Sequence, residues 1–389
     1  MNRGVKQAVY FDILIEDLTL NVPAEFPTIQ AALDSLNCTF IPPGITVTIK
    51  VAAGKITQTQ AIFATHDNGD RIEVVGADPV PYTVTGLQGM TATEFTFNLS
   101  NAAGIAVGDI VDITDSFGTG HHHSLMGAYR VTAVSGNAVT VAHHMQTPVA
   151  GLGTVTLSNQ TILRKITTVI KCTQCGGLRI NYGKALKRWR NIALVGDGSV
   201  AWDDGWARHG IHVGARGMLY FEGYVACIEF GMSGAVAGAA SMIWGQIGKM
   251  CGNGYYGLEL AYGAGIECTY AVTNHNAKAG IYAPGAMPGG NIKSHISCGN
   301  GSCGILTDGA RIDVQTIAGF NKAAGITSYY SSSVNATGSI AFNNGFADFQ
   351  AFTSSSLNVT STAGYITPAV YDPPIGVEGL NRNGINFTL

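Results

Sequence analysis

One short phrase recurs through the second half of the chain. Gly252-Asn253 leads to Gly257-Leu258-Glu259-Leu260, Asn276 to Gly280-Ile281-Tyr282-Ala283, and Gly299-Asn300 to Gly304-Ile305-Leu306-Thr307. Asn321 then leads to Gly325-Ile326-Thr327-Ser328, and Asn343 to Ala347-Asp348-Phe349-Gln350, so the asparagines fall 23, 24, 21 and 22 residues apart. A period that short specifies a solenoid. Between the asparagines lie two brief β-type runs and no long stretch at helical spacing, which excludes helical repeats. A second register, Ile243, Ile266, Ile292, Ile312 and Val334, recurs every 20 to 26 residues. Asn and Gly suit the turn because both tolerate left-handed backbone, and a stacked Asn also hydrogen-bonds the coil above and below. Each repeat therefore reads as one coil of a parallel β-helix.

Composition agrees. Only 12% of the 389 residues are charged, about half of the usual ~25%, and 51 are glycine, as close-turning coils require. A net charge of −3 provides no basic field for nucleic acid. No run is long and apolar enough to insert in a membrane. Arg3, Lys6, Asp12, Glu16 and Asp17 stand where a signal peptide would be apolar, so export through the Sec route is not expected. The eight cysteines read as buried free thiols: Cys251 and Cys298 hold the same turn position two coils apart, roughly 10 Å at ~4.8 Å per coil, beyond disulfide reach. Cys172 and Cys175 form a lone CxxC far along the axis from Cys298 and Cys303, which argues against a four-cysteine zinc site. No cofactor is expected.

In chain order, residues 1–24 carry a β-prone run from Ala8 to Ile15 and another from Leu18 to Val22, read as an attachment segment or an exchanged strand. Residues 25–84 open the helix. Thr28 is placed to cap a short α-helix whose apolar face is Ile29, Ala32, Leu33 and Leu36, and such a helix covers the open strand edges at the end of a stack. Residues 85–160 break the repeat. Phe95, Phe97 and Leu99 alternate with polar residues, and Tyr129 to Val134 joins Val139 to Val141 across Ser135-Gly136-Asn137, a hairpin signature. A small antiparallel β-domain inserted into the solenoid is expected here. Coils resume over 161–360, passing a basic aromatic patch (Lys184, Lys187, Arg188, Trp189, Arg190), and 361–389 read as an irregular extension.

The run Phe26-Pro27-Thr28-Ile29-Gln30-Ala31-Ala32-Leu33-Asp34, followed by Val47 to Gly54, resembles the opening coil of pectate-lyase-like right-handed β-helices. With His66 to Ala77 and the later Asn/Gly coils, the pattern over residues 25–360 is similar to bacteriophage tailspike and tail-fibre proteins. The resemblance implies an all-β, right-handed parallel β-helix. It also implies a homotrimer that binds, and in many members cleaves, polysaccharide on the bacterial surface, with other phage tail or baseplate proteins as partners. A tail spike or fibre of a phage or prophage, made in the host cytoplasm and carried on the virion, is the resulting expectation. The alternatives are a polysaccharide depolymerase, hydrolase or lyase, and a purely structural tail component. The chain lacks the cluster of aspartates and arginine of calcium-dependent pectate lyases.

In coil strands alternate residues face solvent. The first register then predicts an outward row of His212, Glu229, Glu259 and Tyr282, and the second a row of Trp244, Glu267, Lys293, Asp313 and Asn335. Neighbouring rows of this kind suit a sugar groove, with aromatic faces for pyranose rings and carboxylates for hydroxyls. Glu229 and Glu259, expected on adjacent coils, are the candidate hydrolytic pair, against the plainer reading as solvated surface groups. The alternating signs of Glu267, Lys293 and Asp313 read as a cross-strand charge ladder. Trp202, Asp203, Asp204, Trp206, Arg208 and His209 crowd one excursion. It reads either as a sugar-contact loop, with Asp203 or Asp204 as a catalytic acid or Arg208 and His209 serving a lyase, or as a loop closing over the core. His121-His122-His123 and His143-His144 read as polar loop, with a transition-metal site as the alternative.

Overall fold

The computed structural model describes residues 12–91, 93–114, 121–143, 157, 160–199, 202–203, 206–246, 248–285, 290–352, 355–360 and 385–388. Among them the chain winds into a right-handed parallel β-helix with three sheets, of thirteen, five and nine strands; they are called here the first, second and third sheets. One coil illustrates the rest: Met242–Gln246 lies in the first sheet, Gly248–Cys251 in the second and Leu258–Leu260 in the third, before Gly265–Thr269 begins the next coil. Strands this short hold because all but those at the sheet ends are paired on both sides.

The core is a set of stacked side-chain columns. In the third sheet Leu178, Ile211, Ala235, Leu258, Ile281, Ile305, Ile326 and Phe349 sit one above another, all buried. Each large member contributes about 1.5–3 kcal/mol of apolar burial. In the first sheet the column runs Leu219, Ile243, Ile266, Gly290, Ile312, Val334 and Leu357. Gly290 occupies the place expected for Ile292, because a Cβ there would lie only 3.1 Å from Ile312 and 3.2 Å from Ile266. This two-residue shift moves the outward row too. Glu267 is followed by Asn291, not Lys293, then by Asp313 and Asn335, and Lys293 stands beside Thr269. The expected alternating charge ladder is therefore absent from that row.

A buried asparagine column closes the corner between the second and third sheets. The Oδ1 of Asn276 accepts from the backbone N–H of Asn253 at 3.0 Å and from its Nδ2 at 3.1 Å. Asn300 does the same for Asn276, Asn321 for Asn300, and Asn344 for Asn321. The fifth member is thus Asn344; Asn343, the expected one, is exposed with a left-handed backbone at φ 51°. The column begins where Asn253 Oδ1 accepts from Phe230 N and finishes where Asn344 Nδ2 donates to Asp348.

At the N-terminal end the helix Ile29–Asp34 forms as expected, with Thr28 Oγ1 accepting from Ala31 N at 3.1 Å and Ile29, Ala32, Leu33 and Leu36 buried in the solenoid core. Leu18–Val22 pairs with Val47–Val51 of its own chain. It is the first rung of the first sheet. Most of the Ala8 to Ile15 run lies outside the described residues. At the other end Ile385–Thr388 adds a rung beside Ser356–Thr360, so the expected irregular tail returns to the stack there. Three cations of the basic patch are paired locally: Lys184 with Asp67, Lys187 with Glu73 at 2.8 Å and Arg188 with Glu222 at 2.8 Å. All eight cysteines are free thiols, seven of them buried.

The insertion is a closed antiparallel barrel of six strands, from Val80–Met90 to Ile162–Ile166, a few residues wider at each end than expected. Its core is built on Phe95, Phe97, Val111, Tyr129, Val131, Val139 and Leu163. It lies on the second sheet, where Ile110, Met126, Ala128 and Ile166 pack against Val195, Ala226, Ile228, Cys251 and Val272. The strands Ile192–Val195, Val225–Ile228 and Gly248–Cys251 are buried at every position for that reason. Asn274 Nδ2 donates across the junction to the carbonyls of His123 and Met126 at 3.0 and 2.8 Å. Lys249 lies 3.7 Å from Asp112, both buried, and burial holds the Asp112 carboxyl above its ordinary pKa against the pull of Lys249 and Arg164.

The asparagine column predicts its own test. Asn300→Ala leaves the backbone N–H of Asn276 without an acceptor in a dry corner and takes one of the two acceptors of its Nδ2, and denaturant unfolding should register a loss of about 2–4 kcal/mol. Asn343→Ala, outside the column, should fall within about 0.5 kcal/mol of the parent.

Candidate functional site

The outward column of the third sheet runs Arg179, His212, Val236, Glu259, Tyr282 and Leu306. His212, Glu259 and Tyr282 are in the row the repeat predicts. Glu229 is not: Val236 holds its place, because Val225–Ile228 belongs to the second sheet and Glu229 is the corner residue that follows, at φ 60°. Glu229 and Glu259 do not form a pair on adjacent coils. Trp244 lies in the first sheet beside Tyr220, ring centroids 6.2 Å apart, so the two expected rows belong to different sheets and do not flank one groove.

Around Glu259 the corner residues assemble a polar and aromatic strip. Its Oε2 accepts from Ser233 Oγ at 2.9 Å. Burial raises its pKa, partly offset by that hydroxyl and by Lys278. Tyr256 and Tyr282 lie with ring centroids 4.5 Å apart and Tyr255 meets Tyr256 edge-on at 6.0 Å. Lys278 Nζ sits 3.6 Å from the centre of the Tyr255 ring, a cation–π contact. Burial, then Tyr282 and Glu259, push the Tyr256 phenol up to about 12. Burial likewise raises the Tyr282 phenol, so Tyr256 and Tyr282 stay neutral over the physiological range.

Beyond Ser233 come two histidines, ring centroids 5.9 Å apart. His209 Nδ1 accepts from Ser233 N at 3.2 Å. Burial, then the neighbouring His212, lower its pKa to about 3; burial, then Arg179, lower that of His212 to about 4. Both imidazoles are neutral. Arg179 is itself buried and lies over Phe63 at 5.5 Å.

At the opposite side of Tyr255 a cleft of about 710 Å³ opens between the barrel and the solenoid. Arg130 and Thr132 line it from the barrel; Lys171, Asp197, Glu229 and Tyr255 line it from the coils, over a floor of Gly196, Gly198, Gly231 and Gly254. Glu229 is ion-paired with Arg130. Burial pushes Asp197 up, but hydrogen bonds from Ser199 and the Gln174 N–H outweigh it and hold the carboxyl below its ordinary value. Arg208 donates to Ser199 Oγ at 2.6 Å. Trp202–Asp203 and Trp206–Ala207 form a small antiparallel hairpin; Asp204 lies outside the described residues. Of the histidine runs, His143 is buried and stacked on Phe95 at 4.0 Å, and His144 lies outside the described residues. No group of three or more metal-ligating side chains is present among the described residues.

Sequence reading missed Tyr255, Tyr256, Ser233 and Lys278. The aromatic doublet directly after Asn253-Gly254 was the available signal, since a residue between a buried ladder Asn and a coil strand must sit on a corner.

No protein family model matches the chain, and no curated protein does. Among solved structures it is similar to the Gp54 tailspike of Acinetobacter baumannii bacteriophage AP22, solved in complex with A. baumannii capsular saccharide, at 13% identity and a TM-score of 0.23, covering 80% of this chain and 63% of that one. It is also similar to the tailspike gp61 of Pseudomonas phage phi297, at 14% identity and TM-score 0.23 over 85% and 66% of the two chains. A third is the tailspike gp49 of Pseudomonas phage LKA1, at 12% identity and TM-score 0.22 over 85% and 72%. The chain thus spans less than two thirds of the length of the first two.

The neutral histidines carry a pH signature. The unfolded chain takes up protons near pH 6.5 and the folded one near 4 at His212, so stability present above 6.5 is lost as pH falls through that window. Urea unfolding of His212→Gln should show a slope reduced by up to about 1.4 kcal/mol per pH unit between 6.5 and 4.

Proposed function

We propose that the chain is a tail spike or fibre component of a phage or prophage that binds bacterial surface polysaccharide. The observation that carries this reading is the strip on the third sheet: Tyr255, Tyr256 and Tyr282 in contact, with Lys278, Ser233 and Glu259 among them. Aromatic faces take the apolar face of a pyranose, while the hydroxyl, ammonium and carboxyl groups meet its hydroxyls and any uronate. The resemblance of Phe26 to Gly54 and of the Asn/Gly coils to tailspikes and tail fibres supports the same reading, and with it a place on the virion and a homotrimer. Light scattering should then report three times 40.6 kDa.

A second reading, depolymerisation, is favoured by one observation. Burial holds Glu259 above its ordinary pKa, the condition a carboxyl needs to donate a proton to a leaving glycosidic oxygen. Asp197 and Glu229 in the adjoining cleft are the other carboxyl groups available to a hydrolytic scheme.

The test is a panel of purified capsular polysaccharides and O-antigens presented to the protein, reading binding, new reducing ends and the absorbance of unsaturated uronates. Binding with neither product supports an adhesin; reducing ends alone support a hydrolase, and unsaturated product a lyase. Tyr256→Ala and Tyr282→Ala should each weaken binding about tenfold without loss of fold. Glu259→Gln should keep binding and, if product forms, abolish it. A protein that binds nothing in the panel would return the chain to a structural role in the tail.

A further inference from the structure

A second aromatic feature runs along the other edge of the third sheet, at the corner where each coil passes to the first sheet. Backbone hydrogen bonds from Gly183 to Ala215, from Arg216 to Ala239 and from Ala240 to Tyr262 align the corner residues Tyr182, Ala215, Ala239 and Tyr262. The strand registers continue the column through Gly285 and Gly309 to Tyr330. All seven have left-handed backbone, with φ between 45° and 89°. Two of them are glycine and two alanine, which is what such a corner favours, since a larger side chain is disfavoured there. The other three are tyrosines, and they are spread evenly: first, fourth and seventh.

These tyrosines receive little packing from their own chain. Tyr182 is 78% exposed, Tyr262 83% and Tyr330 61%. Three evenly spaced residues therefore accept an unfavourable backbone conformation at a position where glycine is at hand two coils away, and bury little in exchange. Their spacing of three coils is ~14 Å at ~4.8 Å per coil, about the length of three extended pyranose rings. The residues between them in the column are alanine and glycine, with the exposed Arg216 beside Ala215 as a charged neighbour. The corner is not the contiguous apolar patch that a protein partner covers. Tyr330 lies 6.0 Å from Tyr329, whose ring stacks on Phe352 at 4.6 Å and 3°.

We propose that Tyr182, Tyr262 and Tyr330 form a rail on which a linear bacterial polysaccharide lies parallel to the solenoid axis, one sugar ring stacking on a tyrosine every three coils. This rests on the glycan-binding reading above and adds to it the direction of the polymer and the length it must have. A chain spanning one interval engages two rings and one spanning both engages three, so affinity rises in steps as the second and third contacts become intramolecular.

The test takes the polysaccharide in the panel that the parent protein binds best and cleaves it chemically into size-fractionated oligosaccharides. Calorimetric affinity should climb in two steps with length. Tyr262→Gly, at the middle ring, should weaken the long fragments about tenfold and leave fragments too short to span an interval unchanged. The variant should fold with an equal or higher thermal midpoint, because glycine relieves the backbone at that φ. The triple replacement of Tyr182, Tyr262 and Tyr330 by glycine should remove both steps. If the triple variant binds every length as the parent does, the rail is refuted while glycan binding stands. If it instead dissociates in light scattering with glycan affinity intact, the corner joins copies of the chain and the rail is again refuted. If the parent binds no polysaccharide, both readings fall together.

Discussion

Stacking in register is the constraint on which the whole molecule depends, and the buried asparagine column is where it is enforced. A coil corner turns two strands in a few residues, leaving backbone donors and acceptors with no sheet partner in a place water does not reach. The ladder asparagines answer this twice: Asn276 Oδ1 takes the N–H and the amide of Asn253, and its Nδ2 returns to the Met250 carbonyl at 3.1 Å, while Asn300 Nδ2 returns to the Ser297 hydroxyl at 3.2 Å. A slip of one residue would break both bonds and turn every inward side chain outward. The ladder ends on Asp348, a carboxylate that accepts from Asn344 where no further asparagine follows.

The inserted barrel decides which faces of that rod remain open. By packing on the second sheet it converts Ile192–Val195, Val225–Ile228 and Gly248–Cys251 into strands buried on both sides, and it places a poorly solvated ion pair, Asp112 with Lys249, at the junction. Such a pair adds little net stability and is disruptive when halved. Its geometry ties the barrel to one position on the coils. On the third sheet the outward residues Glu259, Tyr282 and Leu306 stay half-exposed, while Arg179, His212 and Val236 before them are buried.

Chemistry on that face follows from partial burial. Burial raises the Glu259 pKa against the pull of the Ser233 hydroxyl and Lys278, and the histidines beside it are driven neutral by the same desolvation. The result is a surface of neutral donors and aromatic planes with few exposed charges. It matches the chemistry of a sugar polymer more closely than that of a peptide or nucleic acid.

The sequence by itself determined the solenoid through a period near 23 residues with a period of 2 within strands, the capping helix through Thr28 and the apolar face of Ile29, Ala32, Leu33 and Leu36, and the inserted β-domain through the break in the repeat and its hairpin at Ser135-Gly136-Asn137. It also placed His212, Glu259 and Tyr282 in one outward row. Register was decided only in three dimensions: Gly290 took the column place expected for Ile292, Asn344 that of Asn343, and Val236 that of Glu229. Coils differ in length by a few residues, and hydrogen bonding together with the space between stacked side chains decides which residue aligns with which. The sequence carries the alternation within a strand, while the offset between strands emerges only when neighbouring coils compete for the same volume.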